Sequence, residues 1–349
     1  MNYKFPAIRG IQAGCEFYTI MVELGELQNF ILDVDQSLAA EERAQRQLNK
    51  KRIPAIKKYI LDNEDSYVFS ALACSVDGSI NFLSNEINKN LGVLEISKDC
   101  RILINDGQHR KTAIVDALKE NPKLANESIP VVIFKDKGLR KSQQMFTDLN
   151  KHAVKTSNSI SELYDSKDEL AEITRVLLQK VEFIDKYTDR EKDGLSKFSK
   201  MLFTFNTFYK ANGRILRGTA VIQENVDFIV KYWQCIVDNI LLWDKLEKGE
   251  IPKARLREDY LVCQAVVIEA LGQMGAYFIS HDEEMEEVLC GLQNIDWHRN
   301  SKLWKNRCVK DNDKMIKSQK AIIMTCNAIK KALNIPLTED EKVYEKKKR

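Results

Sequence analysis

The sequence predicts an α+β protein, with a mixed α/β domain over residues 1–160 and a mainly helical domain over residues 161–349 that ends in a basic tail. Two observations lead there. Short branched-apolar runs bounded by Gly, Asn and Asp cluster before about residue 157, as strands do. Beyond that point apolar residues recur at three- and four-residue spacing through long segments, as amphipathic helices require.

In the first half, residues 18–24 (YTIMVEL) and 30–34 read as short strands. Residues 37–61 carry helical spacing, with Leu48, Ile53, Ile56 and Ile60 on one side, and the polar run 63–65 ends that helix. Residues 67–76 (YVFSALACSV) read as a buried strand, and Asp77-Gly78 as a hairpin turn into Ile80 and Phe82. Residues 93–96 and 101–104 are further strands. A helix starts within 107–113, its apolar face marked by Ala113/Ala117 and Ile114/Leu118, and Asn121-Pro122 stops it. A buried strand at 129–135 and a helix over 140–149 complete this half.

The second half predicts helices over 161–183, 196–211, 219–245, 257–279, 283–292 and 314–333. Thr338 and Glu341 have capping-box spacing, so another helix starts there. Trp233, Trp243, Trp297 and Trp304 sit in apolar helical contexts and read as core. Phe198, Phe203, Phe205 and Phe208 read as a buried stripe.

At 44% hydrophobic and 30% charged, the composition is that of a globular protein with a real core. No run approaches the roughly 18 uncharged apolar residues of a membrane span, and the first residues lack the apolar centre of a secretory signal. A cytoplasmic location and no membrane partner are therefore expected. The cysteines at 15, 74, 100, 235, 263, 290, 308 and 326 show neither paired nor metal-ligand spacing, which argues against a disulfide framework or zinc site. Cys15, in a Gly-containing turn, is the one candidate reactive thiol.

A net charge of +3 is too small to identify a partner, but its distribution is uneven. From Lys302 to Arg349 there are fourteen Lys or Arg against six Asp or Glu. A second basic run, RAQRQLNKKR, spans 43–52. Arg43, Arg46 and Lys50 fall on one helical face, so Arg43, Arg46, Lys50, Lys51 and Arg52 are the first candidates for phosphate contact. Lys302, Lys305, Arg307 and Lys310 come second. Solvated helix faces would look the same.

The densest chemistry lies in ILINDGQHRKTA, residues 102–113. A strand meets Asp-Gly and turns into a helix beginning Gln-His-Arg. Glycine there permits a positive φ or a close backbone approach. The first N–H groups of a helix lack internal partners and lie at its positive end, where an anion fits. Arg110 offers a bidentate fork, and His109 a donor or a proton carrier near neutral pH. Asp106 caps the helix, orients His109 or holds a metal; composition does not choose among these.

The NDGQHRKTA segment resembles the signature of the DGQHR-domain family. The FTDLNKHAVKTSNSI segment (146–160), the RAQR and SVDG stretches and LSKFSKMLFTF are most similar to its DndB branch, associated with DNA sulfur modification. A more distant likeness to ParB/sulfiredoxin-like domains accompanies it. The resemblance implies a protein that binds double-stranded promoter DNA and represses a phosphorothioate-modification gene cluster, rather than the sulfur-transferring enzyme. It implies modification proteins of that cluster as partners, and a homodimer is the default for a repressor. No P-loop or iron–sulfur spacing stands against this division of labour. Related folds also bind or hydrolyse nucleotides, which gives an alternative: a switch or NTPase taking ATP, GTP or CTP with Mg2+. Its phosphate site would be Gly107, Gln108, His109, Arg110 and Asn150, with Asp106 or His109 assisting water. His152, two residues after Asn150, reads first as a surface-loop histidine and second as a neighbour of that site. No set of metal ligands is evident, and clustered carboxylates for a nuclease are lacking.

Overall fold

Seven strands of the first unit form one mixed sheet: β1 (Asn2–Gln12), β2 (Cys15–Glu23), β3 (Leu72–Asp77), β4 (Ile80–Ser84), β5 (Leu91–Ser97), β6 (Arg101–Asp106) and β7 (Ser128–Lys135), in the order β4-β5-β1-β2-β7-β3-β6. The computed structural model describes residues 2–31, 48–135, 138, 144, 145, 147, 148, 156–217, 219 and 222–346. The chain divides into two compact units, Met1–Val154 and Lys155–Arg349. Together they form an α+β protein, as the sequence predicts. No helix among the described residues is long and apolar enough to cross a membrane.

All neighbouring strands of this sheet are antiparallel except β3 and β7. The Asp77-Gly78 turn is present, but it does not make a hairpin. β4 pairs with β5, and β3 with β6 and β7. Two residues join β3 to β4 and three join β5 to β6, with Asp77 opposite Arg101 on one side of the gap and Ile80 opposite Ile96 on the other. The ladder at one edge of the sheet therefore runs on into the ladder at the other edge, and the sheet must curl to bring both edges to that corner. It curls around a single core, in which Ile20, Val22, Leu94 and Ile96 join Leu72, Cys74, Val76, Ile104, Val131 and Ile133. Strand β1 was not expected, because Pro6 and Gly10 weaken its pattern.

The expected strand at 30–34 is not found where it is described. Phe30 ends a short helix α1 (Leu27–Phe30), and its ring packs edge-on against Tyr3 and Phe5. Residues 32–47 lie outside the described residues. The basic run emerges from them into a 3₁₀ turn (Lys50–Arg52) and helix α2 (Ile53–Asp62). Helix α3 (Gln108–Leu118) packs on α2, burying Ile53 and Ile60 near Ala113, Ile114 and Ala117. Most of the helix expected over 140–149 is outside the described residues.

The second unit is helical, in shorter pieces than periodicity predicts. The stretch 161–183 breaks into α4 (Asn158–Tyr164), α5 (Glu169–Lys180, capped by Asp168) and α6 (Glu182–Tyr187). The stretch 196–211 is a turn followed by α7 (Phe205–Leu216). Then come α8 (Gln223–Asn239), α9 (Leu241–Glu247), α10 (Lys253–Asp259), α11 (Ala265–Phe278), α12 (Met285–Leu289), α13 (Gln319–Ala332) and α14 (Glu339–Lys346). The four tryptophans are core residues as expected. Phe198 is not: it is 89% exposed, whereas Phe203, Phe205 and Phe208 are buried.

Helix α11 is the centre of this unit, packed against α7 and α13. Gly272 lets α7 approach, since a Cβ there would lie 2.5 Å from the Ala211 carbonyl oxygen. Buried polar groups are joined in series: Trp233 Nε1 donates to Asn212 Oδ1 at 2.9 Å, and Asn212 Nδ2 to Thr174 Oγ1 at 3.0 Å. Helix α14 begins with the expected capping box, Glu341 N–H donating to Thr338 Oγ1 at 3.3 Å and Thr338 N–H to Glu341 Oε2 at 3.0 Å. Lys330 and Glu341 form a buried ion pair at 2.8 Å, and Arg307 and Lys331 both hold Glu345.

Two outcomes follow. Gly272→Ala forces α7 and α11 apart and should cost about 1–3 kcal/mol, read as a lower midpoint in urea unfolding. An unchanged midpoint would mean the two helices separate freely. The Arg307 guanidinium and the other donors hold the Glu345 carboxyl down to about 2. Its folded value lies below the roughly 4.3 of an unfolded glutamate, so its contribution is complete above that value and disappears as pH falls towards 2. Hydrogen-exchange protection of 339–346, corrected for intrinsic rates, should fall over that range. Glu345→Gln should lower it already at neutral pH.

Candidate functional site at the strand to helix junction

Strand β6 ends at Asp106 and helix α3 begins at Gln108, with Gly107 between them at φ +102°. Glycine is required there twice over. The backbone is left-handed, and a Cβ would lie 2.4 Å from Leu72 Cδ2. As the N-cap residue, Gly107 offers no side chain to the first N–H groups of α3. The positive end of the helix dipole lies there.

Arg110, read from sequence as a phosphate ligand, has other partners here. Its Nη1 donates to the Ser70 carbonyl at 2.7 Å, to the Ala71 carbonyl at 3.1 Å and to the Ser70 hydroxyl. Its Nη2 donates to Asp106 Oδ2. The side chain is a strut from the first turn of α3 to the segment leading into β3, and Asp106 is one of its supports. Gln108 is half-buried, and its carbonyl accepts from Thr112 Oγ1 at 3.0 Å. His109 Nε2 accepts the backbone N–H of Asn49 at 3.0 Å. In that bond the Nε2 lone pair is in use, which puts the proton of a neutral ring on Nδ1.

Two residues at the junction were not foreseen. Asn105 is fully buried and exchanges hydrogen bonds with Ser75 at 3.0 and 3.2 Å. Lys111 is 4% exposed and adds positive charge beside the buried Cys74 thiol, which desolvation pushes well up. A polar residue among branched apolar ones (ILIND) was the available signal for Asn105. Nothing in the sequence marks Lys111 as buried.

The bond from Asn49 to His109 brings the basic turn to the junction. Asn49 Oδ1 caps the turn through Lys51 N–H at 3.1 Å. Lys50, Lys51 and Arg52 are exposed and form no ion pair among the described residues. Farther along, Lys57 of α2 pairs with Glu120, just past the end of α3. Contacts from 49 to 109 and from 57 to 120 orient the two helices alike. Both N-termini, and the three lysine and arginine side chains before α2, therefore lie at one corner of the unit. Arg43, Arg46, Asn150 and His152 lie outside the described residues.

The second basic cluster is divided in a different way. Lys302 and Lys310 are exposed, and Lys305 pairs with Asp313. Arg307 is 8% exposed and faces inward, donating to the Met324 carbonyl at 2.8 Å and to both Glu345 oxygens. Among the described residues no three His, Cys, Asp or Glu side chains gather as a metal site. Cys15 is exposed and unbridged. His281 stacks on Tyr277, and His298 lies edge-on to Tyr260.

Removing the Arg110 strut leaves the Ser70 and Ala71 carbonyls and Asp106 without it. Arg110→Ala should lower stability by about 1–3 kcal/mol, visible as a reduced thermal midpoint before any ligand is added. Arg110→Lys, lacking the fork, should recover only part of it. If Arg110→Ala melts like the parent protein, the guanidinium has no structural task.

The NDGQHRKTA segment thus lies at a strand-to-helix junction beside exposed lysine and arginine side chains. No curated protein and no solved structure matches the chain. The model of the family described as DndB, DNA-sulfur modification-associated, matches residues 5–336, nearly its whole length, and the chain belongs to that family.

Proposed function

We propose that the protein is a DNA-binding repressor of a gene cluster for DNA phosphorothioate modification, and that it contacts DNA phosphates at the corner formed by Lys50, Lys51, Arg52 and the start of α3. The observation that carries this reading is the convergence of two separate sequence signals. The basic run and the DGQHR junction are some sixty residues apart in sequence, and the Asn49–His109 hydrogen bond joins them. Cations with no ion pair among the described residues, beside two helix N-termini, attract phosphate through charge and through backbone donors together. Such contacts position a protein on a duplex and carry no base information. The same reading takes double-stranded promoter DNA as the ligand, proteins of the modification cluster as partners, and a cytoplasmic homodimer as the working form.

The uncapped start of α3 also favours a second reading, in which the phosphate belongs to ATP, GTP or CTP with Mg2+. In that case the backbone after Gly107 and the Lys50–Arg52 turn would hold it, because Arg110 is already engaged. A nucleotide switch would gain thermal stability with nucleotide.

The test replaces Lys50, Lys51 and Arg52 together by alanine. Each lost phosphate contact removes roughly 0.9 from the slope of log affinity against log salt. The triple variant should bind promoter DNA on the order of ten-fold or more weakly near 0.1 M salt, with a slope shallower by about 2–3. Its melting temperature should not change, because these side chains are exposed. Equal affinity and slope in both proteins would remove this corner from the DNA interface. A nucleotide-dependent melting shift that the variant abolishes, with DNA binding intact, would select the second reading.

A further inference from the structure

The turn at 196–200 in the second unit presents Phe198 to solvent and is held rigidly from behind. Ser199 N–H closes the turn on the Ser196 carbonyl at 3.1 Å. Arg257 Nη1, from α10, gathers the carbonyls of Ser196 at 2.9 Å, Lys197 at 3.3 Å and Ser199 at 3.4 Å. Lys253 Nζ, from the same helix, donates to the Lys200 carbonyl at 2.6 Å. Two half-buried cations are thus used to fix a turn whose own tip is a fully displayed aromatic ring. Isolated apolar side chains on a surface need no explanation. A ring that is 89% exposed at the tip of a braced turn, between Lys197 and Lys200, calls for one.

The surroundings are cationic. Lys192 and Lys200 have no ion pair among the described residues, while Lys197 pairs with Glu258 and Lys186 with Glu247. Burial first, and then the charges of Lys186, Lys200 and Arg257, hold the Lys253 ammonium below the usual lysine range; Glu247 acts the other way. Like charges gathered at one place favour an anionic partner, which relieves their repulsion.

We propose that this turn is a second nucleic-acid contact, in which the Phe198 ring stacks on a DNA base while Lys200 attracts the adjacent phosphate. Every base has a π face, so one rigid ring beside a cation suits a nucleic acid without demanding a sequence. A lipid surface would fit less well, since one ring gives little apolar area to insert. The inference rests on the DNA-binding reading above but uses a different surface, so the two can fail separately.

The experiment compares the full chain with Phe198→Ala, Phe198→Trp and Lys200→Ala. Affinity is measured on promoter duplex and on single strands of the same sequence, over a salt series. Loss of one base-stacking contact costs about 1–3 kcal/mol, roughly five- to 150-fold in affinity. Phe198→Ala should show that loss on at least one substrate with an unchanged salt slope, and Phe198→Trp should restore binding. Lys200→Ala should make the slope shallower by about 0.9. Melting temperatures should all match, because neither side chain is buried. If Phe198→Ala binds both substrates within two-fold of the parent, the stacking proposal is wrong while the basic corner stands. If the parent chain binds neither substrate, both readings fall. Loss of sedimentation with phosphatidylserine vesicles in Phe198→Ala, with DNA affinity unchanged, would assign the ring to a membrane and overturn the proposal.

Discussion

The first unit depends on one guanidinium. Arg110 joins three pieces of chain: the segment before β3, the last residue of β6 and the first turn of α3. Its bond to Asp106 is the smaller part of this, because that carboxylate is 43% exposed and a half-solvated ion pair contributes about 0–1 kcal/mol. The bonds to the Ser70 and Ala71 carbonyls matter more. They satisfy acceptors next to a ladder irregularity, where the register of β3 against β6 shifts between Ala73 and Cys74. The direction of α3 is set there, α2 packs on α3, and the basic turn sits at the start of α2. The surface charge at Lys50–Arg52 is thus held in place by an arginine that is not itself part of that surface.

The same logic separates the cations of the whole chain. With 54 Lys or Arg against 51 Asp or Glu, net charge says almost nothing about where an anion would bind. Partners say more. Arg307 is spent on Glu345 and Met324, Lys330 on Glu341, Arg257 on a turn and Arg110 on a junction. Lys50, Lys51, Arg52, Lys200, Lys302 and Lys310 are exposed and enter no ion pair among the described residues. A long-range attraction for polyanions comes from this second group, since an internally neutralised charge contributes little field outside.

Much of this was legible in the sequence because it is local. The β6–α3 junction could be placed because a two-residue period changes to a helical one across a glycine. The capping box at Thr338 and Glu341 follows from spacing alone. What failed was non-local. The Asp77-Gly78 turn is where expected, yet the strand pairing there depends on β5 and β6, about twenty residues on. The long helical patterns of the second half continue across real breaks at Asp168 and Ile240, because apolar spacing does not register that a carboxylate has capped a new helix or that the chain has bent. Phe198 fits the spacing of Phe205 and Phe208, but it sits in a turn held by α10, some sixty residues away, and faces outward. At the site, the residue types were legible but their allegiance was not.

Arginine explains most of that last difference. Its planar fork serves two or three acceptors at once and is weakly hydrated, so interiors accept it more readily than lysine. Arg110 at the junction and Arg307 in the second basic cluster each find several acceptors and are drawn inward, while Lys50, Lys51, Lys302 and Lys310 stay exposed. A compact ammonium on a long stem binds phosphate as a point charge and discriminates poorly among bases. On the proposed reading, the basic corner accordingly gives attraction and salt dependence but little selectivity. Any preference for a promoter has to come from a group with shape, or from the deformability of the DNA itself. The braced Phe198 ring is not that source, because stacking meets every base alike; on the proposed reading it adds affinity without salt dependence, as a further cation would not.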